Sequence, residues 1–196
     1  MSRKHFPTLA LAIACGIALA ACHQQEAAVD APAKAAATPP ASPRMAPATI
    51  PAGNDVPLQI GTGANTPLLV NAGQTATGEI KVATAGKVAA FSVELGNFAN
   101  TSTGMLDLQL CDADKCVTGS ADLRSSLDNS LFAIALSAPL EVAAGDMLRY
   151  SLTKNGGNVG VAIWTYPALD ESQKISLDGG SATNGRTAKL VLRYEP

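Results

Sequence analysis

The sequence predicts an all-β domain, an antiparallel β-sandwich of jelly-roll type following a disordered tether. Three observations predict it. Apolar residues alternate with polar or small ones in short runs, clusters of Gly, Asn and Asp separate the runs, and no stretch after residue 60 keeps a helical period for three turns.

In chain order the alternation starts at Ala76 and continues through Phe91-Val93-Leu95, Leu106-Leu108-Leu110, Phe132-Ile134-Leu136 and Leu140-Val142. It resumes in Leu148-Tyr150-Leu152, Val159-Val161-Ile163 and Leu190-Leu192-Tyr194. A period of two sends one set of side chains to a core and the other to solvent, and about nine strands are expected on this pattern. Turns are marked by Ala85-Gly86-Lys87, Ala144-Gly145-Asp146, Asn155-Gly156-Gly157-Asn158 and Asp178-Gly179-Gly180. Many short strands with Gly-rich turns bury their apolar faces by packing sheet on sheet or by closing into a barrel.

Ahead of the strands the composition changes twice. Arg3 and Lys4 precede an apolar run from Leu9 to Ala21, which ends at His23, Gln24, Gln25 and Glu26. The run is about 13 residues, short of the roughly 20 that span a bilayer, so residues 1–21 read as a cleaved export signal. Leu19-Ala20-Ala21-Cys22 resembles the bacterial lipobox. The resemblance implies that Cys22 carries diacylglycerol and becomes the first residue of the mature chain, with a membrane as partner through two or three acyl chains. Each buried CH₂ contributes about 0.8 kcal/mol, so such an anchor is effectively permanent. His23, rather than Asp, after the cysteine implies by the same resemblance sorting to the outer membrane, facing the periplasm. Cys15 leaves with the signal and needs no role.

Residues 22–56 are rich in Ala and Pro, as in Ala31-Pro32-Ala33, Pro39-Pro40 and Ala46-Pro47, and offer little to bury. They read as the tether; at about 3.1 Å per residue its ceiling is on the order of 100 Å. Residues 57–196 form the expected domain.

The stretch from Gln74 to Tyr166 resembles the jelly-roll, galactose-binding-like accessory domains found beside bacterial surface-polysaccharide glycosyltransferases. The resemblance lies in Gln74-Thr75, Val88-Ala89-Ala90-Phe91-Ser92-Val93, Asn100 to Gly104 leading into Met105-Leu106-Asp107-Leu108, Asp128-Asn129, Gly145 ahead of Leu148, and Val161-Ala162-Ile163-Trp164. It implies a sandwich and names no ligand residues, and a chain without a transferase domain departs from that setting.

Charge and histidine content narrow the function. Without residues 1–21 the chain has 12 basic against 16 acidic side chains, a net charge of −4, with the basic residues scattered singly. A nucleic-acid partner is therefore not expected. Both histidines, His5 and His23, lie before the domain, which removes Ser-His-Asp and Cys-His catalysis and His-ligated zinc. Glu79, Glu94 and Glu141 fall on the polar phase of strands, where solvent exposure accounts for them. The expectation is a protein that is not an enzyme.

Five sets of residues remain. Cys111 and Cys116, the only cysteines of the domain, read as a structural disulfide, which export favours. Asp112 with Asp114, and Asp128 with Asn129, could lend oxygens to calcium, but six to eight are needed; as solvated turn residues capping backbone N–H groups they imply no cofactor. Trp164 and Tyr166 share one face of a strand, with Val161 and Ile163 on the other. Small Gly160 and Ala162 precede the pair on its own side and suggest a shallow trough for a sugar face, against the alternative that a ring packs in a second core layer. Phe98, in the polar stretch Gly96 to Thr101, is either an exposed anchor or a plug at the sandwich edge. Together these lead to a non-catalytic module contacting envelope polysaccharide or another glycan. The alternative is a protein-interaction lipoprotein, an accessory of a secretion or envelope machine or a periplasmic immunity protein, using Phe98 or a free sheet edge.

Overall fold

A computed structural model describes residues 49–180, 183 and 185–196. The export signal expected over 1–21, the lipidation site expected at Cys22 and the expected tether up to residue 48 lie outside the described residues. The described strands are β1 (Asn54–Pro57), β2 (Thr66–Val70), β3 (Thr75–Lys81), β4 (Gly86–Gly96), β5 (Met105–Cys111), β6 (Cys116–Asp122), β7 (Ser130–Val142), β8 (Met147–Asn155), β9 (Val161–Pro167), β10 (Lys174–Leu177), β11 (Arg186–Ala188) and β12 (Leu190–Tyr194). Every pairing is antiparallel, and the only helical element among the described residues is a single 3-10 turn at Leu123–Ser125.

The expected all-β, antiparallel sandwich is present, in the form of one sheet curled into a half-barrel. One layer runs β1-β12-β4-β7, with β9 joined to the end of β4 and carrying β2 and β11; the other runs β6-β5-β8-β3-β10. The curl passes through β7. Its residues Ser130–Ala135 pair with β4 from Leu95 back to Ala90, and Leu140–Val142 pair with Val88–Gly86, so that Leu136 to Pro139 leave the β4 ladder. There Leu136 pairs instead with Gly119 of β6. Pro139, which cannot donate to a ladder, sits in this bulge, the place in a strand that tolerates it. The two runs Phe132-Ile134-Leu136 and Leu140-Val142 are thus one bent strand.

The core lies between the layers. Phe91 of β4 meets Tyr150 of β8 with ring centroids 5.4 Å apart, and Val93, Leu95, Leu108, Ile134, Leu152 and Ile163 are buried around them. The Tyr150 side chain is buried, and that burial pushes its pKa above the ordinary phenol value.

Strands that escape the alternation have physical reasons to do so. Within β2 Pro67 and the adjacent pair Leu68-Leu69 break the period, β6 buries only Val117 fully, and β10 and β11 are too short to show one. β1 straddles the boundary drawn after residue 56, with Asn54 to Val56 before it, because only Val56 of this strand is turned toward the core and composition cannot reveal the strand. Pairing with β12 holds it, together with a two-pronged bond from Arg193 to Asp55 at 2.6 and 2.8 Å. Cys111 and Cys116 face each other across the β5–β6 hairpin and are joined in a disulfide.

Candidate functional site

A three-way junction shapes the outer face of the first layer. The Glu94 amide donates to the Lys189 carbonyl at 3.1 Å and the Lys189 amide to the Trp164 carbonyl at 3.4 Å, so β9 takes over the edge of β4 where β12 ends. Alternation then decides which side chains meet. Val161, Ile163 and Thr165 of β9 are buried inward, whereas Trp164 and Tyr166 are half-buried on the outer face beside Glu94 and Gly96 of β4. Neither ring enters the core.

Tyr166 is committed to its neighbours. Its hydroxyl donates to Glu94 Oε2 at 2.6 Å and accepts from Asn65 at 3.5 Å. Lys189 pairs with Glu94 at 3.3 Å and stands 5.7 Å from the Tyr166 ring centroid, within range of the ring's quadrupole. Burial, and then the Glu94 acceptor, raise the Tyr166 pKa. Glu94, which the sequence places on the solvated phase, is thus the hub of this cluster, with its side chain 15% exposed.

Trp164 is arranged differently. Its indole extends over Gly96: a β-carbon added there would lie 3.2 Å from Nε1 and 3.4 Å from Cε2. The absent side chain lets the ring settle across β4, where Nε1 donates to Asn129 Oδ1 at 2.9 Å. The polar tip is satisfied internally and the remaining ring surface is left to solvent. The trough expected beside it is filled, because Leu69 Cδ1 and Asn71 Oδ1 occupy the space that Gly160 leaves, 2.8 and 2.7 Å from the position of an added β-carbon.

Asn129 belongs to a strained assembly. Phe98, Ala99 and Asn100 have φ of 48, 58 and 65°, and Asn129 has 55°. Three successive non-glycine residues in the left-handed region cost roughly 1–2 kcal/mol each, and such outliers persist only where surroundings over-determine them. Asp128 supplies the constraint. It accepts from the Asn97 amide at 2.5 Å and the Ala99 amide at 3.1 Å, while its own amide donates to Asn100 Oδ1 at 2.9 Å. The amides of Asn97 and then Ala99 hold the Asp128 carboxyl below the usual carboxylate range. Asn97, fully buried, donates to the carbonyl and hydroxyl of Ser126 and accepts from the Ser102 amide at 2.7 Å. Held in this way, Phe98 is 48% exposed at the tip of the turn rather than tucked under the sandwich edge.

Sequence-predicted residues therefore converge. Trp164, Tyr166, Phe98, Asp128 and Asn129 gather at one end of one face, and the sequence gives no sign of Glu94, Gly96 or Lys189 as their partners. Four of the seven exposed large apolar side chains among the described residues, Leu69, Phe98, Leu127 and Leu131, surround the same place: Leu69 lies opposite Ala162, Leu131 opposite Glu94, and Leu127 precedes Asp128.

Of the calcium candidates, Asp112, Asp128 and Asn129 bond within the chain. Asp112 Oδ1 accepts from the Asp114 and Lys115 amides at 2.8 and 2.7 Å, closing the hairpin turn, and both Asp128 oxygens take amides. Among the described residues no three His, Cys, Asp or Glu side chains are grouped to hold a metal ion. No family model, curated protein or solved structure matches this chain.

Proposed function

We propose that this chain is a lipid-anchored, non-catalytic module of the outer membrane, facing the periplasm, that binds an envelope polysaccharide or another glycan through the Trp164 face. The observation that carries this is the indole laid over Gly96 and pinned to Asn129. A ring with its N–H already satisfied offers a preset apolar surface to the C–H face of a sugar, and preorganisation lowers the cost of binding. Asn65, Asn129 and the Glu94–Lys189 pair supply hydrogen-bonding groups at its margin. Lipobox Cys22 and the Ala/Pro tether support the placement.

Trp164 is the only tryptophan of the chain, so its emission reports on the site directly. Screening the full chain on a glycan array and titrating the best hit should shift that emission, and Trp164→Ala should abolish the array signal while the chain keeps the circular dichroism spectrum of the folded sandwich. A wild-type protein silent across the array, or a Trp164→Ala protein that binds as well, sinks the proposal.

A second reading, a protein partner, is favoured by Leu69, Leu127, Leu131 and Phe98 around the ring. It works through the face on which these side chains stand; edge strands β1 and β2 carry Pro57 and Pro67, which blunt pairing there, and β10 at the other end of the sheet is only four residues long. A stoichiometric partner lost on Leu131→Asp, with an empty glycan array, would establish it.

A further inference from the structure

The outer face of the other layer carries a different kind of surface. Two depressions of about 630 and 740 Å³ lie on it and share Gln109 and Ser151, so they form one trough crossing the strands from β10 through β3, β8 and β5 to β6. At about 4.8 Å per strand its length is on the order of 20 Å. Thr77, Gln109, Thr118, Ser120, Ser151 and Thr153 line it with hydroxyl and amide groups.

Four ionic side chains reach the trough, and three have partners. Glu79 and Lys174 pair at 2.8 Å. Asp107 accepts from the Ser120 hydroxyl and the Asn155 amide. Arg149 is the exception. It lies across from Glu79 on β3 and Cys111 on β5, is exposed, and has neither an ion pair nor a side-chain hydrogen bond among the described residues. The trough thus presents one uncommitted guanidinium beside the Glu79–Lys174 pair, with the Asp107 carboxylate, bonded to Ser120 and Asn155, in the other depression.

We propose that this trough is a second binding site, for an extended acidic polysaccharide whose carboxylate docks on Arg149 while Gln109 and Ser151 bond to its hydroxyls. A guanidinium matches a carboxylate with two parallel hydrogen bonds. The hydroxyl and amide groups suit the hydroxyls of a polyol, and the apolar surface between them, from Ala135 and Leu136 among others, suits sugar C–H faces. A polyphosphate or nucleic acid calls for a row of cations, whereas this trough has one free. The site lies on the opposite layer from Trp164 and does not depend on it.

The test uses the full chain in detergent with three probes: polygalacturonate, the same polymer methyl-esterified, and inorganic polyphosphate. The chain should bind polygalacturonate, and binding should fall roughly tenfold on esterification and roughly tenfold in Arg149→Gln, the loss expected for one charge-assisted pair. Arg149→Lys should recover part of it. Absence of polygalacturonate binding, equal affinity for the ester, equal affinity for polyphosphate, or an unaffected Arg149→Gln variant each overturns the proposal.

Discussion

The two outer faces of this sandwich share one core and one strand, β7, yet use their side chains in opposite ways. On the β3–β8–β5 face short polar side chains pair across strands, as in Thr75 with Thr153 at 2.8 Å and Thr77 with Ser176 at 2.9 Å. On the β4–β9 face large side chains lie over small ones, and a strained turn is locked beside them by Asp128. The first arrangement is what a solvated sheet requires. The second exceeds it, since strain and exposed apolar area both oppose stability, and that is the physical ground for placing a site there.

The comparison can be broken in graded steps. The largest effect belongs to the shared core: Phe91→Ala removes the ring that meets Tyr150 and should cost about 3–5 kcal/mol by urea denaturation. Both faces should then fail together; a variant that lost glycan or polyuronate binding on only one face would show that the layers fold separately. Next is the staple of the polar face. Replacing Cys111 and Cys116 by Ser should cost about 2 kcal/mol in the chain-entropy model, with Trp164 emission in the native state unchanged. An altered emission would mean the hairpin supports the other face too.

The smallest effect separates the faces by pH. Asp128 is held below its ordinary value of 3.8 by the Asn97 and Ala99 amides. A carboxyl with a depressed folded pKa lends stability that is complete above its unfolded value and disappears as pH falls through the folded one. Below pH 3.8 the amide resonances of Asn97 and Ala99 and the Trp164 emission should therefore move together, and Asp128→Asn should remove that step. If the acid step survives the substitution, Asp128 is not the lock.

Much of this is written locally in the chain and some of it is not. Alternation of Val161 and Ile163 with Trp164 and Tyr166 suffices to assign the faces of β9, and the spacing of Cys111 and Cys116 suffices for their bond. By contrast, Trp164 reaches Asn129 across 35 residues and Tyr166 reaches Glu94 across 72. Such contacts depend on strand order, which no period records. The strained turn is hidden for another reason. Phe98 and Ala99 have no preference for the left-handed region, and only the distant Asp128 makes it tenable. Likewise the trough around Arg149 assembles single polar residues from several strands, each unremarkable in its own.

The bond between Asp55 and Arg193 has a mechanical consequence. If the chain is held at its N-terminus and loaded through the Trp164 face, tension meets Arg193 first, which donates to the Pro51 carbonyl and clasps Asp55, and only then works on the pairing of β1 with β12. Because β1 turns only Val56 toward the core, its four residues can pay out roughly 14 Å of slack while the sandwich stays closed. Under the proposed anchoring, such a strand would act as a shock absorber, giving way before the sandwich opens.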